Sequence, residues 1–298
     1  MIDLSFVAER RLNISGHGLA GQGAAGPGEA WQGKAWQLFL SGGTMKRLVI
    51  MSDLHCGHRA GLTPPEYQFN KERNKFGQWQ ATLWDQYTEA IEKYQPIDWL
   101  VINGDAIDGK GERSGGTEQI TVDRDEQTDM AYKCINAWDC KRVSLTYGTG
   151  YHTGNEEDWE GELAATLMAE IHSHAFIDVD GVVFDIKHHV GSSSIPHGRN
   201  TAISRDRLWN MLWQERGLQP KATVLIRSHV HYFIYNGDAR VLNMVTPALQ
   251  LPSSKYGGRR CSGTVDCGFV VFDCEDGKYS WTAEIFDLSF IAKEAIKL

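Results

Sequence analysis

From Lys46 onward, short continuous apolar runs alternate with longer stretches of helical period. KRLVIM (46–51) reads as a buried strand: LVIM leaves no polar face and stops abruptly at Ser52-Asp53-Leu54-His55. Residues 74–94 place Phe76, Trp79, Leu83, Tyr87 and Ile91 on one face of a helix, which Pro96 ends. DWLVIN (98–103) makes a second strand, running into GDAIDG. Helical stretches at 127–138, 157–172 and 202–215 then alternate with the strands RVSLTY (142–147), VVFDIKHH (182–189) and ATVLIRSHVH (222–231). The remainder is strand-like (YFIYN, ARVLNMV, GFVVFD, YSWTAEIFDL), with hairpin breaks at Asn236-Gly237 and Asp276-Gly277. A βαβα alternation followed by antiparallel segments predicts an α/β chain whose functional residues gather at the carboxyl ends of strands.

Residues 1–44 carry neither period. Their Gly- and Ala-rich run, GHGLAGQGAAGPGEAWQGKAW, reads as a flexible tail, with the folded domain over 45–298. Gly42-Gly43 just before Met45 can be encoded as a ribosome-binding sequence, so native translation is expected to start at Met45.

Composition narrows the field. A hydrophobic content of 42% supplies a sizeable core, and a net charge of −8 argues against a broadly basic surface that grips duplex nucleic acid. No run approaches the roughly 18 apolar residues of a membrane span, so a cytoplasmic protein is expected. Six cysteines (Cys56, Cys134, Cys140, Cys261, Cys267, Cys274) form no CxxC and read as free thiols.

The chemistry sits at five strand ends: Asp53-Leu-His55, Gly104-Asp105-Ala-Ile-Asp108, Gly150-Tyr-His152, His188-His189 and Ser228-His229-Val-His231. In an extended segment residues i and i+2 point the same way, so Asp53/His55 and His229/His231 each predict a two-toothed clamp. Carboxylates with neutral imidazoles suit Mn, Fe, Zn or Ni, and a shared Asp can bridge two ions. Two ions about 3.5–4 Å apart clamp phosphoryl oxygens and acidify a water.

This order resembles the calcineurin-like metallophosphoesterase family, whose pattern is DxH, GDxxD, GNH(D/E), a lone His and GHxH. The resemblance runs from Lys46 to about Leu288, and the SHVH and GTGYH variants resemble members from bacteriophages, which implies a host cytoplasm. It implies a four-layer α-β-β-α sandwich with two divalent ions, Mn foremost, at the strand ends. It further implies hydrolysis of a phosphomonoester or phosphodiester by a metal-bound hydroxide. Carried over residue by residue, Asp53, His55 and His231 hold the first metal and Asp105 bridges. His229 and one of His188/His189 hold the second; His188 continues the phase of Val182, Phe184 and Ile186. His152 assists the leaving oxygen, and the Asp108 carboxylate orients it.

The match departs from the family at Tyr151, where an Asn ligand is the rule, at Thr153, where a carboxylate is, and at Ser228, where Gly is. Thr149, Asn155 or water would fill the Asn position, so occupancy of the second site is open. Arg199 in SSSIPHGRNT is a candidate to bind substrate phosphate, with Ser193 and His197 nearby. Tyr256, Arg259 and Arg260 read as a solvated basic loop; His58 stands behind the DxH pair, and His17, His172 and His174 fit no clamp. A phosphorylated small molecule or protein suits the acidic chain better than nucleic acid. Two other readings stay open: a metal-binding assembly protein with little or no turnover, and an SbcD-like nuclease.

Overall fold

A computed structural model describes residues 44–154, 158–252, 264–292 and 295. Residues 1–43 of the tail expected over 1–44, Asn155, the basic loop with Tyr256, Arg259 and Arg260, and Cys261 all lie outside the described residues. The strands are β1 (Lys46–Met51), β2 (Trp99–Asn103), β3 (Val143–Thr146), β4 (Glu170–His172), β5 (Ala175–Val179), β6 (Val182–Ile186), β7 (Val224–Arg227), β8 (Ile234–Gly237), β9 (Leu242–Val245), β10 (Gly268–Glu275) and β11 (Lys278–Ile285). The helices are α1 (Lys75–Tyr94), α2 (Arg124–Asn136), α3 (Gly150–Thr153), α4 (Trp159–Thr166) and α5 (Arg199–Glu215).

A six-stranded sheet runs β11-β10-β1-β2-β3-β4 and a five-stranded sheet runs β5-β6-β7-β9-β8. In the first, β1 to β4 are mutually parallel; in the second, β6, β7 and β9 are. Alternation along the strands builds the layers. From β1, Val49 and Met51 enter a core with Leu83, Tyr87 and Ile91 of α1 and Met130 and Cys134 of α2. Leu48 and Ile50, one residue out of phase, enter a second core with Phe184, Val224, Ile226 and Met244 of the other sheet. A third, small core packs Leu225 and Val245 against Ala202 and Ile203 of α5. The order is therefore helices, sheet, sheet, helix: the expected four-layer α-β-β-α sandwich.

Local chemistry sets the helix limits. Asn74 caps α1 by accepting from Phe76 N, and Asp123 caps α2 by accepting from Asp125 N and Glu126 N. The helix expected at 157–172 is cut to α4, because the chain turns at Met168 (φ 52°), and β4 follows at once. The Asp276-Gly277 hairpin forms as expected between β10 and β11, whereas the expected break at Asn236-Gly237 lies within β8, and the chain reverses over 238–241. Cys56, Cys134, Cys140, Cys267 and Cys274 are free thiols. Among the described residues no helix is long and apolar enough to cross a membrane.

Candidate metal centre

The carboxyl ends of β1, β2, β3, β6 and β7 converge, and the five motifs follow them. The clamps are not pleated as expected. Asp53, His55, Asp105, His229 and His231 all adopt positive φ, between 47° and 75°. Asp and His tolerate this left-handed region better than most residues, but each still carries strain. Tertiary hydrogen bonds hold the strained turns: Asp53 N donates to Gly104 O (3.0 Å), His55 N to Asp105 O (3.0 Å) and Leu249 N to Asp53 O (3.1 Å). Close approach also demands two glycines. A Cβ on Gly104 would stand 2.6 Å from the His188 ring, and one on Gly148 would stand 2.1 Å from Asp105 Oδ1.

Two triads result, Asp53/His55/His231 and Asp105/His188/His229, and a third set, His55/Asp105/His152, shares a residue with each; in all three the donor atoms lie within 4.8 Å of one another. Asp53 Oδ1 lies 3.1 Å from His231 Nε2, 3.8 Å from His55 Nε2 and 3.9 Å from His188 Nε2, so it faces both groups. Asp105 Oδ2 lies 2.9 Å from His188 Nε2 and 3.9 Å from His229 Nδ1. His55 Nδ1 donates to Asp108 Oδ1 (2.7 Å) and His188 Nδ1 donates to Asn103 O (2.6 Å), since those acceptors have no proton to give. Both histidines therefore turn Nε2 toward the cluster, as metal-binding imidazoles with a fixed outer partner do.

The cluster fits divalent cations. Asp53 Oδ1 and His188 Nε2 are buried without a hydrogen-bond partner; the 2.9 Å approach of His188 to Asp105 lacks hydrogen-bond geometry. His55 Nε2 and His231 Nε2 face each other at 3.2 Å, nitrogen to nitrogen. Burial works against charge on His188, yet Asp105 and Asp53 carry its pKa up to about 10. Burial likewise opposes ionisation of Asp53, but His231 and His188 hold its carboxyl well below the usual range. Such a pocket draws in positive charge, as protons or as metal ions.

His152, on α3, donates from Nδ1 to the main-chain carbonyl of Asp108 (2.8 Å) and sets its ring edgewise on His55, 4.6 Å between centroids. Burial, with His55 beside it, keeps its pKa below the ordinary histidine value. Asp108, expected to orient His152, thus meets it chiefly through its main-chain carbonyl. The Asp108 carboxylate serves His55 and stands 3.4 Å from His152 Nδ1, because Asp108 N donates to Cys56 O and aligns the two loops. Gln119 Nε2 fixes its other oxygen (2.6 Å).

The remaining candidates separate. His189 is exposed, stacked on His229 at 4.8 Å, and belongs to neither triad. Tyr151 packs its ring against His152 (4.8 Å), while Thr149 reaches Asp105 Oδ1 through its amide (2.7 Å) and its hydroxyl (3.2 Å). Arg199 donates to Thr264 Oγ1 (2.9 Å) and lies 4.3 Å over the Tyr232 ring. Ser193 Oγ donates to Ile195 O within its own loop, beside the turn that holds His197. His58 is buried, accepts from Ala60 N, and burial presses its pKa down to about 4.

Three features have no motif. Glu160 is fully buried; Oε1 accepts from Ala106 N (2.9 Å) and Oε2 from Gly148 N (2.7 Å), joining the loops that carry Asp105 and Thr149. Gln119 comes from a loop outside every strand end. Finally, Thr146, Asn103, Ser228, Thr246 and Ser52 form one buried chain of side-chain hydrogen bonds across both sheets beneath the site. That chain gives Ser228 a partner the expected Gly could not offer.

No protein-family model and no curated protein matches the sequence. Among solved structures, the chain is similar to an archaeal phosphodiesterase: 14% identity, TM-score 0.42, covering 80% of this chain and 99% of that one. It is also similar to wild-type Vps29 of Entamoeba histolytica complexed with zinc: 11% identity, TM-score 0.40, covering 82% and 99%. A third is a conserved uncharacterized protein (predicted phosphoesterase) of Streptococcus pneumoniae: 10% identity, TM-score 0.38, covering 81% and 90%.

Proposed function

We propose that this chain is a metal-dependent phosphoric ester hydrolase of the calcineurin-like kind. One observation carries the reading: two Asp/His triads meet at the strand ends with Asp53 Oδ1 and His188 Nε2 buried and unpartnered. Asp53, His55 and His231 would hold one ion and Asp105, His188 and His229 another, with Asp105 bridging; His189 is left out. Divalent ions bound there, Mn or else Fe, Zn or Ni, would neutralise phosphoryl charge and acidify a water. The protein's own part is to orient. Asp108 and Asn103 aim His55 and His188, and Thr149 steadies Asp105 where the family has an Asn. His152, tethered at Nδ1, would turn its other nitrogen to the leaving oxygen and, once that nitrogen has taken a proton from solvent, pass it on. Arg199 would meet a phosphate only by releasing Thr264. A net charge of −8 favours a phosphorylated small molecule or protein over nucleic acid.

Tyr151 favours a second reading, a metal-holding assembly protein with little turnover, because a phenol does not replace an amide carbonyl as a neutral ligand. Assays in Mn²⁺ on p-nitrophenyl phosphate, bis-p-nitrophenyl phosphate and single-stranded DNA separate the readings. EDTA-sensitive turnover of a nitrophenyl ester is expected. Bound metal without turnover leaves the second reading, cleavage of DNA alone makes the chain a nuclease, and neither metal nor turnover overturns all three.

A further inference from the structure

Helix α5 is amphipathic in the inverse sense. Its inner face is polar: Asp206 accepts from Arg227 Nε (2.7 Å), Asn210 donates to Asp185 Oδ2 (2.7 Å), and Arg207 donates to Ala222 O (2.8 Å). Only Ala202 and Ile203 bury apolar groups beneath it. Outward, Leu208, Trp209, Met211, Leu212 and Trp213 are 38 to 54% exposed, and Leu218 just beyond is 66% exposed. Hydrogen bonds anchor this helix to its own sheet, while its large apolar side chains face away from the core. That is the reverse of a surface helix stabilised by its own domain.

The exposed area identifies the occupant. These six side chains present on the order of 700 Å² of surface, above the roughly 300–600 Å² of the largest patch on a typical monomer. It is close to the roughly 800 Å² that each partner contributes to a standard interface. From Leu208 to Trp213 no residue is charged, so nothing there calls for a partner of opposite sign. The pairs Leu208/Leu212 and Trp209/Trp213, four residues apart, form ridges suited to another helix. Exposed charges stand only at the two ends, Arg205 before the apolar run and Glu215 and Arg216 after it.

We propose that this face is the two-fold interface of a homodimer, α5 packing antiparallel on α5 of a second copy. The antiparallel pairing follows from a two-fold axis and opposes the helix dipoles favourably. The proposal is independent of the phosphoesterase reading, since none of these residues belongs to the two triads.

Sedimentation equilibrium of the full chain tests it. A two-copy mass is expected, with a dissociation constant of about 10 µM or less. Trp209→Glu and Leu212→Glu should each raise that constant at least about 30-fold. Far-UV circular dichroism and cooperative melting should stay those of the wild type, as both positions are exposed; Leu208→Lys repeats the test should either variant misfold. A full chain that remains monomeric at about 100 µM overturns the proposal. So does a dimer indifferent to all three substitutions. So does a chain that dimerises only after removal of residues 1–43, because those residues, not a second copy, would then occupy the face.

Discussion

Glu160 shows what a single residue does here. Its two oxygens accept from Ala106 N and Gly148 N, so one carboxylate holds two ligand-bearing loops together. Burial, with Asp105 nearby, raises its pKa from 4.5 to about 7. A carboxyl whose folded pKa lies above its unfolded value binds more protons in the native state between the two values, so stability falls as pH rises through that window. Between about pH 4.5 and 7 this one group should cost the wild type up to about 3 kcal/mol relative to Glu160→Gln, whose amide does not titrate. Urea unfolding of metal-free protein at a series of pH values checks this; a stability difference constant across that window contradicts it. His152 makes a second residue-scale case. His152→Ala should leave bound metal near wild type while lowering turnover about 10²- to 10⁴-fold. Loss of metal in that variant, measured by atomic emission, would make His152 a ligand instead. The DxH, GDxxD and SHVH residues were legible because their types and spacing are local. Glu160, Gln119 and Asn103 were not, because only tertiary contact brings them to the site.

Elements were legible where one period prevailed. KRLVIM and residues 74–94 read cleanly, one as an unbroken apolar run and the other as a helical stripe. The stretch from 157 to 179 did not, since α4 ends in a left-handed turn at Met168 that no Gly or Pro announces. β5 does alternate, Ala175, Ile177 and Val179 burying one face, but it is only five residues long. The left-handed clamps were invisible for another reason: φ at Asp53 or His231 is set by neighbouring loops, not by the residue's own preference. Between β6, β7 and α5, the buried Arg227 guanidinium donates to Asp185 Oδ1 (2.8 Å) and Asp206 Oδ2 (2.7 Å), directly before Ser228-His229. Removing one partner strands the others in a dry interior. Arg227→Met should lower stability by about 3–5 kcal/mol in urea unfolding. A loss below about 1 kcal/mol, the range of an exposed pair, would mean that water reaches this network.

At the scale of the whole molecule, two sheets packed on a shared core aim five strand ends at one point, and the buried Ser52–Thr246–Ser228–Asn103 chain ties the sheets together beneath it. The four-layer order could be expected from the motif resemblance but not from periodicity, which does not say which sheet a strand joins. The central claim is that this convergence holds divalent metal. Calorimetric titration of metal-free chain with Mn²⁺ measures it directly. Wild type should bind two ions, and Asp105→Asn should lose both the stoichiometry and turnover. His188→Ala should lose one ion, and saturation at about 100 times the dissociation constant should add about 2.7 kcal/mol to wild-type stability for each ion bound. A wild type that takes up no Mn²⁺, or one whose binding survives Asp105→Asn and His188→Ala unchanged, would contradict the metal centre.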